Sequence, residues 1–320
     1  HALAHQRQLA GDQGAVLRVQ RAVHALQQQT ARLGEQARRI QQLTGGGVEH
    51  GPPALDRAAV ALGPLQRAPE GLCQARTRRI TIATYGLCTR YALQRDWLQL
   101  AVRQEFDRFN FEQTVAAGVS FEQVKDLSEI DELHNRVRLT VDGRKITTRY
   151  LVGADGANSI VRKLVTKGSW FQRGFAIEGL VPYAALGREP VAEFYFGYVT
   201  NGYGWLFPKG DHVNVGIYTY DDNVSLSKDQ LRAYALDRLE TDKLEHIAGY
   251  PLGFGGRRYA PASDRVILVG DAAGFAEPLL GEGIHNAVKT GLAAADAIRV
   301  AHRSQEPSTC RPTSPSPAKW

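Results

Sequence analysis

The stretch Arg265–Ala287 reads RVILVGDAAGFAEPLLGEGIHNA, and its order of residue types decides the fold. Arg265–Val269 has the apolar pattern of a buried sheet strand. It ends in Gly270-Asp271, which sets a carboxylate at the carboxyl end of a strand, where open α/β sheets bind ligands. Pro278, Gly281 and Gly283 follow, and the glycines let backbone approach a bound group closely. A helix is expected over about 283–301. Its N-terminus offers free N–H groups and partial positive charge to an anion or an electron-rich ring edge. A Gly-Asp pair after a strand can equally cap the next helix; the proline and paired glycines behind it are what point to a ligand.

Working outward, Leu151–Val165 (LVGADGANSIVRKLV) repeats the theme. A short strand runs into an Asp-Gly turn, with Asp155 aimed at backbone amides, Ser159 opening a helix and Arg162 in reach of a phosphate. Parallel strands place such turns on one edge, so Asp155 and Asp271 are expected to converge. Val137–Val141 and Lys145–Tyr150 form a hairpin around Asp142-Gly143. Arg78–Tyr85 alternates as a strand, Arg95–Ala117 as a helix containing VRQEFD, and Val119–Val124 as a short strand. Val191–Tyr198, Tyr203–Phe207 and His212–Tyr220 make a β-rich unit, turning at Pro208–Asp211. In YGWLFPKGDHVNV, Tyr203, Trp205 and Phe207 alternate, so one strand face carries three large rings. Such a wall can hold a long apolar substrate, and an ordinary aromatic core face has the same pattern.

The chain has 320 residues and formal net charge +6, with 43% hydrophobic and 22% charged residues. That composition is ordinary for a globular protein with one large or two smaller domains. No apolar run reaches the roughly 20 residues of a membrane span, and no signal peptide opens the chain. A cytoplasmic location is therefore expected. The pI near 9.2 is compatible with phosphate-bearing ligands or peripheral contact with an anionic membrane. No nucleic-acid partner is expected. Cys73, Cys88 and Cys310 have no paired-ligand spacing, so neither a metal site nor a disulfide framework is read.

The first 84 residues contain no aromatic side chain, and the whole chain no methionine, from which it reads as part of a longer protein. Val16, Val19, Val23, Leu26, Thr30, Leu33, Ala37 and Ile40 occupy successive heptad positions of a helix expected over about 15–43. That helix is either a coiled-coil arm or a compositional accident. Residues 51–75 read as linker and those beyond Arg303 as a disordered tail.

The segment Arg265–Ala287 resembles the second flavin-binding motif of the p-hydroxybenzoate hydroxylase-like FAD oxidoreductases. Its wording EPLLGEGI is similar to the geranylgeranyl reductase family, as is the aromatic-x-Trp-x-Phe-Pro-Lys string. The resemblance covers about 78–301. It implies an α/β (α+β mixed) fold, an incomplete FAD-binding Rossmann-like domain with an inserted antiparallel β-sheet substrate domain. By that likeness residues 78–165 and 262–302 form the FAD-binding part, 166–261 the β-rich substrate part, 1–77 an atypical segment and 303–320 a tail. The implied FAD contacts are Asp271 for the ribityl hydroxyls, Gly270, Pro278 and Gly281 around it, and Gly283 and Ile284 against the flavin. Arg103 matches a helix arginine that reaches FAD, Val124 a backbone contact to adenine, and Asp155 a mainly structural aspartate. Tyr203, Trp205 and Phe207 are the implied substrate-cavity residues.

The implied activity is reduction of prenyl double bonds, with NADPH as a candidate electron donor. An aromatic hydroxylase or halogenase uses the same scaffold and is the enzymatic rival; a non-catalytic protein acting through the N-terminal helix is the other. One departure is plain. The family's opening Gly-x-Gly-x-x-Gly turn is missing, since neither Gly11–Gly14 nor Thr44–Gly47 follows an apolar strand. Weak binding of FAD by this chain is expected in consequence. No catalytic residue and no proton donor is legible.

Overall fold

A computed structural model describes residues 72–304 except 85–86, 93–97, 167–169, 187–188 and 262. The expected N-terminal helix, linker and tail lie outside the described residues. In chain order the strands are β1 (Ala75–Thr77), β2 (Arg79–Thr84), β3 (Leu87–Ala92) and β4 (Leu98–Leu100), then helix α1 (Arg103–Ala116). Next come β5 (Leu127–Leu133), β6 (Arg136–Val141), β7 (Arg144–Thr148), β8 (Leu151–Gly153), α2 (Ile160–Val165) and β9 (Gln172–Pro182). After these run β10 (Ala192–Phe196), β11 (Gly202–Pro208), β12 (His212–Thr219), α3 (Lys228–Leu239), β13 (Glu245–Phe254), β14 (Val266–Leu268) and α4 (Ile284–Ser304).

Seven strands build the main sheet in the order β13-β9-β12-β11-β10-β2-β3. Neighbours run antiparallel, except that β2 lies parallel to β10. Alternation gives this sheet two different faces. On one, Ile177, Val181, Leu206, Val213, Val215 and Ile217 pack under Leu231, Tyr234 and Leu239 of α3. A capping box fixes the start of α3: the Ser227 hydroxyl accepts from Gln230 N–H while the Gln230 side chain accepts from Ser227 N–H. The other face is aromatic, with Phe194, Tyr203, Trp205, Tyr218 and Phe254 buried against Ile80 and Ala276.

Beside this sheet stand the parallel pair β14-β8 and the meander β5-β6-β7. They share a core of Val137, Val161, Tyr259, Val266, Leu268 and Ala273. The expected hairpin is there, with Asp142 at φ 48° and Gly143 at φ 73°. Both central residues in the left-handed region make the turn whose twist suits a two-residue hairpin.

Three expectations from the sequence need correction. Residues 98–100 pair with β1 as a strand, so the helix expected from Arg95 begins only at Arg103. Val119–Val124 is not a strand: no described strand lies beside it to share a hydrogen-bond ladder, and Phe121 is 68% and Val124 51% exposed. Finally β2 and β3, read with the nucleotide-binding part, are hydrogen-bonded into the main sheet through the β2–β10 pairing.

Candidate functional site

Leu151, Val152 and Gly153 of β8 lie opposite Val266, Ile267 and Leu268 of β14, in parallel. The Val269 N–H donates to Gly153 O at 3.0 Å. The Asp155 and Asp271 turns therefore leave the pair on the same edge, as the two motifs require. The two aspartates then differ in what they do.

Both carboxylate oxygens of Asp155 are engaged at the start of α2. Oδ1 accepts from the Ser159 hydroxyl (2.5 Å), Oδ2 from the N–H groups of Ile160 (2.7 Å) and Val161 (3.1 Å). The N-cap itself is Ser159, whose hydroxyl accepts from Arg162 N–H at 2.9 Å; the Asp155 carboxylate supports it by taking the first N–H groups of α2. Arg162, read as a phosphate contact, is buried instead. It donates to Ala157 O (2.7 Å) and Ala272 O (3.0 Å) and lies over the Phe171 ring. Burial pulls its pKa down, and Arg173 adds to the effect. Its donors tie α2 to the Gly270–Ala273 turn.

Asp271 is only half engaged. Oδ2 accepts from Gly253 N–H at 3.2 Å, while Oδ1 accepts nothing among the described residues. A Cβ at Gly283 would come within 2.8 Å of that Oδ1, so the glycine keeps the oxygen accessible. Burial raises the Asp271 pKa; the Gly253 N–H and the Arg103 charge oppose this, and Glu282 adds to it. Gly270, at φ 54°, donates its N–H to the Thr290 hydroxyl of α4 (2.9 Å).

The loop from Glu277 to Gly283 is held from two sides. Within it, Glu277 accepts from Leu279 and Leu280 N–H, each at 2.8 Å, and Gly281 N–H returns to Glu277 O. From the sheet, the Tyr218 hydroxyl donates to Pro278 O (2.8 Å) and the Tyr203 hydroxyl to Leu280 O (2.5 Å). Burial pushes both phenols well above their ordinary pKa, so both stay protonated as donors. Gly281 sits at φ 66°, a conformation that side chains rarely adopt. Glu282 takes the His285 N–H at the start of α4 (2.8 Å), next to the half-buried Ile284. The Nε2 of His285 is a buried polar atom without a partner among the described residues.

Register explains the aromatic wall. Ala248, Glu178, Gly216, Trp205, Phe194 and Ile82 lie opposite one another across six strands, on the face that also carries Tyr203 and Phe207. The indole of Trp205 spreads over Gly216, where a Cβ would meet Cζ2 at 1.9 Å. Its Nε1–H donates to Asn214 Oδ1 at 2.7 Å. Trp205 is thus buried and locked flat, while Phe207 is half-buried. Arg103 grips Asp107 through Nε and Nη2, and its charge reaches both Asp271 and Lys209. Val124 stands exposed and outside any described strand.

Sequence reasoning missed Gly253, Asn214, Gly216 and Tyr218. Their roles depend on which strands pair and in what register. The residues present fit the ribityl and ring half of FAD: a half-free carboxylate, a glycine keeping its oxygen open, and an orphaned ring nitrogen.

No family model matches the chain. It is 36% identical over 165 residues to geranylgeranyl diphosphate reductase, chloroplastic, of Nicotiana tabacum, covering 48% of this chain and 34% of that protein. It is 30% identical over 210 residues to the digeranylgeranylglycerophospholipid reductase of Methanococcus vannielii, 61% of this chain and 53% of that one. The chain spans between about a third and a half of the length of the curated relatives it matches. Among solved structures, a geranylgeranyl bacteriochlorophyll reductase-like protein from Thermoplasma acidophilum superposes with TM-score 0.62 at 18% identity. That superposition covers 80% of this chain and 77% of that one. Over the aligned residues the chain is similar to geranylgeranyl and digeranylgeranylglycerophospholipid reductases.

Proposed function

We propose that this chain carries the flavin-edge and substrate-wall part of an FAD-dependent reductase of isoprenoid double bonds, with NADPH as electron donor. One observation carries the reading: the open carboxylate of Asp271 and the aromatic face of the main sheet meet across a single loop, Glu277–Gly283, pinned by Tyr203 and Tyr218. FAD, when bound and reduced, supplies a hydride equivalent to one alkene carbon, and a proton from another source completes the saturation. The chain's own residues bind, orient and exclude water. Asp271 accepts from ribityl hydroxyls through Oδ1. Gly270, Gly281, Gly283 and Ile284 offer backbone to the ring system, and Pro278 shapes the loop between them. Arg103 adds positive charge on the same side. Asp155 serves this site by supporting the start of α2, with its oxygens engaged there. Tyr203, Trp205 and Phe207 form the apolar wall for a prenyl chain.

Such a substrate is a membrane-borne amphiphile, and peripheral contact with a lipid surface follows from its chemistry. No described helix is long and apolar enough to cross a membrane. Sequence likeness to reductases supports reduction over hydroxylation or halogenation on this scaffold. The test is anaerobic incubation of the chain with FAD, NADPH and geranylgeranyl diphosphate, followed by mass spectrometry. The expected product gains two hydrogens per reduced bond. Turnover that instead requires oxygen and consumes it with NADPH would overturn the reductase reading.

A further inference from the structure

Lys209 closes the strand that carries the three rings. It follows Pro208 at the end of β11, and its N–H donates to His212 O at 2.8 Å across the turn. Lys209 lies one residue past the end of β11, and its ammonium feels Glu178, which belongs to the aromatic face. The side chain is half-buried, and among the described residues its ammonium makes no hydrogen bond or ion pair. Two charges act on it: Glu178, in the Trp205 row of that face, and Arg103 at the start of α1. Next to it, Leu180, Asn214 and Phe207 form the neighbouring row, in which Leu180 and Phe207 are half-buried apolar side chains.

A half-buried cation without a partner is costly unless an anion meets it. Here it stands where an apolar wall ends. We propose that Lys209 anchors the phosphate or diphosphate head of an isoprenoid amphiphile whose tail lies over Phe207 and Leu180. The assignment rests on the prenyl-substrate reading above and deepens it. Arg103 supplies a second positive charge on that side. Desolvation lowers the ammonium's pKa, and an arriving phosphate reverses that penalty. The same geometry predicts an order of preference: phosphorylated prenyl chain first, prenyl alcohol second, inorganic diphosphate last.

The test needs no flavin. Binding of geranylgeranyl diphosphate, geranylgeraniol and inorganic diphosphate to the full chain is followed by calorimetry and by tryptophan fluorescence. The wild type is expected to prefer the diphosphate over the alcohol by about tenfold or more, the scale of one charge-assisted contact. Lys209→Met should abolish that preference and leave alcohol binding intact, while Lys209→Arg retains most of it. Alcohol binding by the methionine variant also reports that the wall is still folded. Equal wild-type affinity for diphosphate and alcohol, or an undiminished preference in Lys209→Met, overturns the anchor. Inorganic diphosphate binding as tightly as the prenyl diphosphate overturns it too, because the site would then be a free-phosphate site. Failure of both prenyl ligands to bind defeats the aromatic-wall reading itself.

Discussion

The two layers of this molecule are held to different standards. In the main sheet both faces are covered: α3 closes one, and the aromatic cluster with the Glu277–Gly283 loop closes the other. In the other layer the parallel pair β8-β14 is only two strands wide, with β14 buried between Val161 and Tyr259 on one side and Ala294 of α4 on the other. Val152 is partly exposed, and α1, with Phe111 exposed, has no buried residue. Parallel strands are ordinarily buried on both faces. The main sheet is therefore covered on both faces, while the second layer is narrow and covered only in part. Precision here follows covering, and the predictions below probe that contrast.

The largest effect is expected in cofactor binding. FAD should bind this chain weakly, because no described residue replaces the missing glycine turn for the pyrophosphate. Losing several charge-assisted hydrogen bonds, each about 1.5–3 kcal/mol, lowers affinity by roughly three orders of magnitude or more. Flavin fluorescence titration measures this; stoichiometric submicromolar binding would erase the contrast. Next comes the covered wall. Gly216→Ala drives a methyl into the Trp205 ring and should cost about 3 kcal/mol, read by denaturant unfolding.

Asp155→Ala leaves the Ile160 and Val161 N–H groups at the start of α2 without their acceptor and should lose about 1–2 kcal/mol. Tyr218→Phe deletes only the bond to Pro278 O, an effect of about 1 kcal/mol in stability. Asp271→Asn should run the other way. Its folded pKa lies above the unfolded value, so the unfolded state gives up this proton more readily. The protonated carboxyl then favours folding below its unfolded pKa, and that contribution fades as pH rises through the folded value. At neutral pH the amide should stabilise the flavin-free chain while weakening flavin binding; a loss of stability there would mean the carboxylate has a partner. Phe121→Ser, at an exposed position, should stay within about 0.5 kcal/mol.

Much of this was legible because it is local. The Asp142-Gly143 turn, the alternation of β10 to β12 and the strand-to-turn step at Asp271 each lie within a few residues. The edge shared by Asp155 and Asp271 followed from one rule about parallel strands. What escaped depends on distant pairing. Nothing near Arg79–Thr84 says that it lies beside β10, and Gly216 is an unremarkable glycine until Trp205 is laid across it. VSFEQV alternates as well as β2 does, yet a strand also needs a neighbour, and alternation carries no information about that. Asp155 could be read either as structural or as a ligand contact, because a cap and a ligand contact use the same turn.

The parallel seam between β2 and β10 also bears on the order of assembly. Ile80 sits opposite Ala192, 112 positions later (192 − 80), and the whole β5–β8 layer is strung within the loop this pairing closes. Closing so long a loop costs entropy before any contact repays it, whereas the β10–β11–β12 meander forms from neighbours. The meander should therefore collapse first and β2 dock late, onto an edge that waits for it. Ile80→Ala is then expected to speed unfolding while leaving the folding rate nearly unchanged, and Val215→Ala to slow folding. Stopped-flow chevrons of the two variants decide the sequence of events, and a marked slowing of folding by Ile80→Ala would place the seam early instead.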